Sequence, residues 1–363
     1  MSGTEANMTE EMKDMTLIES EDPAPLNTDG EKRSIRRIFS RCGWSSVVFC
    51  IGTILASLIL SVIFGVLRAS GVDVMSFYEK NLLYFNEAII AISALLAALV
   101  LIGTPKAAPE KKKMPAKEFM AIVCICFAVG MAGSLIGNIW LGFWNGITGN
   151  EVTNPVQELL EGIGPFQMIL CTAVLAPVLE ELVFRKLFID RMAKHGELMA
   201  IFVSALLFGL FHQNFSQFFY AFGLGLVFGY VYCRTSSYFL VTLLHAIFNF
   251  VSGVLPMLLT DKVLVFLEKM ETLTEAEFVE VLPALLGDHG VWILIYFIYL
   301  MIRGALNITG LVLFILNFKK INIKRADSTL PLAERARASI VNVGMIVAIA
   351  VFVIMMIISL FQG

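Results

Sequence analysis

Residues 164–188 read GPFQMILCTAVLAPVLEELVFRKLF. The first sixteen of them carry no charge, and at ~1.5 Å of helical rise per residue the whole stretch is long enough to cross a hydrocarbon core of ~30 Å. Its composition makes it a membrane span. Near its end stand Glu180, Glu181 and Arg185. An ionisable side chain at bilayer depth costs ~2.5–3.5 kcal/mol even on lenient insertion scales, so each of these needs a partner or a function. The stretch thus decides the solvent and locates the chemistry.

The rest of the 363 residues agrees with that solvent. Hydrophobic residues make up 58% of the chain and charged ones 16%, against roughly 25% charged in an ordinary soluble domain, and the mean hydropathy is +0.79. Nine segments are apolar enough to be spans, near 45–67, 84–104, 118–140, 164–188, 198–213, 214–235, 237–259, 291–318 and 339–361. The fifth is short, and Arg303 interrupts the eighth, which is either one tilted helix or two pieces. The expected fold is an all-α polytopic membrane protein, a bundle of about nine transmembrane helices around an intramembrane cavity.

Charge location gives the topology. With the N-terminus cytoplasmic, the inner segments hold 21 Lys and Arg residues and the outer ones four, namely Arg68, Lys80, Lys262 and Lys269, as the positive-inside rule requires. Residues 1–41 form an acidic tail, too poor in aliphatic residues to order itself, with a basic juxtamembrane end. Residues 42–363 form one helical membrane domain. Residues 260–290, with Glu268, Glu271, Glu275, Glu277 and Glu280, form an acidic external loop in which Phe278, Val281, Leu282 and Leu285 suit an interfacial helix. A net charge of −3 gives no case for nucleic acid. The six cysteines, mostly inside apolar runs, read as small hydrophobes rather than a disulfide framework. Plasma membrane is the expected location.

Helix periodicity sorts the buried ionisable groups. Glu181 and Arg185 are four apart and can pair on one face. Glu180 points elsewhere, so its carboxylate must look to another helix, where His212, one turn after Phe208, and His245, one turn before Asn249, are the candidates. A glutamate beside a neutral imidazole in a dry cavity can hold and deprotonate water. A second imidazole with a carboxamide one turn away offers two donors to an oxyanion. The same atoms of Glu180, His212 and His245 could instead hold a divalent metal with water in the fourth position. Against both stands a polar network that merely joins helices.

The order Glu180-Glu181-x-x-x-Arg185, Phe208-x-x-x-His212 and His245-x-x-x-Asn249 on successive spans resembles the CAAX-protease and bacteriocin-processing (CPBP, or Abi) family of intramembrane proteases. The resemblance implies a helical membrane endopeptidase with an intramembrane catalytic cavity and its catalytic core at 160–260, in which Glu180 and His212 activate water, His245 and Asn249 hold the oxyanion, and Glu181 and Arg185 support them. The implied cofactor is either none or one divalent metal such as zinc, and the implied partners are the bilayer and a membrane-associated peptide or protein substrate. An inactive immunity or scaffold protein of the same fold is the alternative, and a proton-relaying transporter a third reading. No His-Glu-x-x-His, no Gly-x-Ser-Gly and no aspartate pair lies in the spans, so site-2, serine and aspartyl chemistries drop out.

Overall fold

A computed structural model describes residues 28–149, 152, 163–328 and 330–361. Its helices, in chain order, are α1 (Thr28–Ala69), α2 (Met75–Lys80), α3 (Leu82–Val100), α4 (Ala116–Thr148), α5 (Pro165–His195), α6 (Glu197–Phe211), α7 (Phe215–Thr235), α8 (Tyr238–Thr272), α9 (Glu275–Asn317), α10 (Leu332–Ile340) and α11 (Val343–Ser359). There is no strand among the described residues. Among the described residues seven helices are long and apolar enough to cross a membrane, eight if α10 and α11, bent by 63°, count as one span. The remaining apolar helix, α6, has only 15 residues. All nine apolar segments are therefore helical, and the chain is an integral, multi-pass membrane protein. Ile59, Val62, Ile139, Val291 and Met301 expose their side chains on its outside, which suits hydrocarbon rather than water as the neighbour.

Small residues set how closely the helices approach, as expected where lipid offers no hydrophobic drive for association. On α7, a Cβ at Gly225 would stand 2.9 Å from the Ala205 backbone of α6, and one at Gly229 would stand 3.2 Å from Ile201. On α4, a side chain at Gly133 would collide with the Tyr220 backbone of α7. Gly310 brings α9 against the Cys124 carbonyl of α4 in the same way. Phe184 and Phe188 of α5, Phe208 of α6, Phe228 and Tyr232 of α7 and Leu244 of α8 fill the space so defined, all nearly or fully buried.

Two expectations need correction. The disordered tail was expected to reach residue 41, yet residues 28–41 are the first turns of α1. Ile35, Ile38, Phe39 and Cys42 recur at helical spacing and are buried, while Lys32 pairs with Glu334 of α10 at 2.6 Å. Residues 1–27 lie outside the described part. The loop expected at 260–290 is instead the tip of a helical hairpin, since α8 runs on to Thr272 and α9 begins at Glu275. Thr274 caps α9 through a reciprocal capping box with Glu277, whose carboxyl is held below its usual range by the Thr274 hydroxyl. The eighth apolar segment is one helix, with Arg303 donating to the Tyr299 hydroxyl one turn earlier at 2.7 Å. Arg185 and Arg191 are both buried. All six cysteines are unpaired thiols, five buried and Cys124 half-buried.

Candidate active site

The four helices α5 to α8 each bring one part of the site, and irregular turns aim them. Around Glu180 and Glu181, α5 widens to π-helical turns at Ile169–Leu175 and Leu182–Ile189. Such turns leave backbone groups without their regular partner and recur at functional positions. At the first of them the Ala176 N–H bonds to the Cys171 carbonyl, five residues back. The Thr172 carbonyl would then look to residue 177, which is proline and has no N–H. Asn249 of α8 fills the vacancy, its Nδ2 donating to Thr172 O at 3.0 Å. The pattern repeats on α8, where the Leu255 N–H takes the Phe250 carbonyl and Pro256 cannot serve Val251. There the Tyr299 hydroxyl of α9 donates to Val251 O at 3.1 Å.

His212 stands at the tip of the α6–α7 turn. Helix α6 stops because Gln213 adopts φ +56, a left-handed conformation that costs a non-glycine residue roughly 1 kcal/mol. Asn214 locks the turn, since it donates to His212 O at 2.7 Å and accepts from the Gln217 N–H at 2.9 Å. The His212 ring is held by its Nδ1, 2.9 Å from Phe208 O. A carbonyl can only accept, so Nδ1 carries the proton and Nε2 is left free as a base or ligand.

His245 is held from the opposite side. Its Nδ1 lies 2.9 Å from Glu181 Oε1, and its Nε2 lies 3.7 Å from Glu180 Oε2. The other oxygen of Glu181 faces Arg185 Nε at 2.9 Å, with both side chains fully buried. The adjacent glutamates thus divide as their 100° separation dictates, Glu181 bracing Arg185 and the Nδ1 side of His245 and Glu180 facing its Nε2 side. No N–H of Arg185 is aligned on an acceptor among the described residues. Instead its guanidinium lies 4.7 Å from the Phe208 ring centre and 5.6 Å from that of Phe228, a desolvated cation–π arrangement worth ~2 kcal/mol.

Phe208 joins the parts. Both imidazoles meet its ring edge-on, His212 at 5.1 Å and His245 at 5.7 Å between centroids. Counted from their helix starts, the histidines differ in depth by several residues, but this shared ring brings them to one level. Arg185, His212 and His245 therefore surround one buried aromatic, and Glu181 and Glu180 join them through His245. Asn249 sits one turn beyond His245, with its first N–H engaged by Thr172 and its second free to point elsewhere. Among the described residues no three His, Cys, Asp or Glu side chains converge closely enough to hold one metal ion.

The sequence reading passed over Glu87. It is the sole acid of α3 and is buried at 7% exposure. Its position inside a span was the available signal.

Residues 162–251 match the family model described as type II CAAX prenyl endopeptidase Rce1-like. The match encloses all three motifs and bears out the resemblance drawn from them. No curated protein matches the chain, and no solved structure does.

Proposed function

We propose that the chain is an intramembrane endopeptidase of the CAAX prenyl protease type, hydrolysing a peptide bond in a membrane-associated peptide or protein. The observation that carries this reading is the orientation of His245 between two carboxylates, Nδ1 toward Glu181 and Nε2 toward Glu180. A structural network has no need of a second carboxylate facing the other ring nitrogen.

The proposed chemistry follows from the donors and acceptors. Glu180 and the free Nε2 of His212 hold a water molecule, and Glu180 takes its proton as the oxygen attacks the carbonyl carbon. The new oxyanion accepts from the second N–H of Asn249 and from Nε2–H of an imidazolium at His245, whose charge the Glu181 carboxylate balances. When the C–N bond breaks, the amine takes the proton held by Glu180, and the acid product leaves. Arg185 fixes Glu181 and so acts as a positioning residue. Were a metal to serve instead, Glu180, His212 and His245 would have to close together around it. That would supply Lewis-acid activation of the water.

The test is turnover of a farnesylated Cys-aliphatic-aliphatic-X peptide by the purified protein in liposomes. Glu180→Gln preserves shape but cannot take the proton, so it abolishes turnover while the thermal unfolding midpoint stays within a few degrees of wild type. Equal turnover by the Gln variant would overturn the assignment. Treatment with a zinc chelator, followed by zinc, separates the water-only route from the metal route.

A further inference from the structure

Glu87 has no place in the chemistry above, yet it is the most exceptional side chain on α3. It is buried, its Oε1 has only the Asn86 amide at 3.5 Å, and its Oε2 has no hydrogen-bond partner among the described residues. No cation there pairs with it. An uncompensated carboxylate at bilayer depth is too costly to retain as packing, and the donor it calls for is absent from the described residues.

Two contacts set the level of Glu87 along α5. At one end of α3, Leu83 packs with Met168, Cys171 and Ala173 of α5. At the other, the Leu101 carbonyl accepts from Arg191 of α5 at 3.5 Å. The offset in residue number is nearly the same at both ends, so α3 and α5 run parallel. Glu87, one turn past Leu83 on the same face, then lies about one turn short of the level of Glu180. Helix α3 also touches the Ala176–Glu181 turns of α5 directly, so Glu87 and Glu180 belong to the same stretch of this helix pair. Glu181 and Arg185 neutralise each other beside it, and His245 is engaged with Glu181.

We propose that Glu87 is a substrate-contacting residue of this site, its free carboxylate oxygen accepting a backbone N–H of the peptide held against Glu180. One helical turn is ~5.4 Å, and an extended peptide advances ~3.3 Å per residue. The N–H in question therefore belongs to a residue one or two positions from the bond attacked. This contact rests on the protease reading and extends the site to a helix outside residues 162–251.

The experiment uses the full chain in liposomes and a farnesylated Cys-aliphatic-aliphatic-Met octapeptide, together with copies N-methylated at one backbone nitrogen each. A hydrogen bond to a charged acceptor predicts that Glu87→Ala raises KM ~10- to 100-fold with kcat changed less than about threefold. Glu87→Gln, which keeps an acceptor oxygen, recovers most of that loss. N-methylation at one position next to the scissile bond raises KM by a similar factor for wild type and by less than about twofold for Glu87→Ala, because the bond is already absent. If Glu87→Ala does not fold, Glu87→Leu against Glu87→Gln gives the same comparison. Unchanged KM in the variants would overturn the proposal, as would N-methyl penalties equal in wild type and variant, and either result leaves the protease reading intact. Wild type that fails to cleave the peptide, as Glu180→Gln does, would overturn the protease reading and this contact together.

Discussion

The junction of Asn249, Thr172 and Pro177 allows the structural and chemical roles of one residue to be separated. Removing the Asn249 side chain leaves the Thr172 carbonyl without its donor. A buried acceptor left unsatisfied costs ~1–3 kcal/mol, and inter-helix bonds in membranes fall at the low end, ~0.6 kcal/mol on average. Asn249→Ala is therefore expected to destabilise by ~1 kcal/mol. In a Pro177→Ala background, residue 177 regains an N–H five residues beyond Thr172, the spacing that the π-helical turn already uses from Ala176 to Cys171. The carbonyl can then be satisfied within α5, and the stability cost of Asn249→Ala should fall below ~0.3 kcal/mol, a coupling readable in a double-mutant cycle. Unfolding of the four proteins in mixed micelles measures it. Turnover supplies the second readout, because an oxyanion donor contributes ~10²–10³ in kcat. That loss should persist in the Pro177→Ala background. Additive stability costs would refute the account of the π-turn, and recovery of turnover in the double variant would refute the oxyanion role.

Glu181→Gln leaves the fully buried Arg185 without a counter-charge and should destabilise by ~3–5 kcal/mol, whereas Glu181→Leu with Arg185→Met should unfold near wild type yet lack turnover, because His245 loses its orientation; inactive and unstable double variants would contradict this division. A cysteine placed at Glu275 should react with an impermeant maleimide applied from outside intact cells, and one at Lys112 should not; the reverse pattern would overturn the charge-based topology. Gly133→Leu should prevent α4 from seating on α7, since its Cβ meets the Tyr220 backbone, and should lower the unfolding midpoint by several degrees more than the same change at Gly142, which has open space.

The sequence by itself determined the solvent, the number of apolar helical segments and the two faces of the Glu180-Glu181 pair. Each follows from something local. Run length sets a span, and a 100° step per residue sends adjacent glutamates apart. The pairing of Glu181 with Arg185 was legible for the same reason, being four residues apart on one helix. The three motifs were legible as chemistry because ionisable residues are so costly in hydrocarbon that few remain to choose among. Helix α1 extending back over residues 28–41 was not legible, because its order comes from burial against α10 rather than from its own composition. The same is true of the α8–α9 hairpin, where charge suggested a loop and mutual packing with a capped turn made helix.

Only the tertiary structure decided which groups meet. His245 turns to both glutamates, His212 and His245 share the Phe208 ring, and Asn249 reaches a carbonyl that a distant proline has freed. Each is a contact between helices whose relative height depends on glycine-limited packing and on where a π-helical turn shifts the phase. Those quantities are set by neighbours that a single stretch of sequence does not contain. Glu87 shows the division most clearly, for its cost was readable from its place in a span, but its company could be read only once α3 was laid parallel to α5.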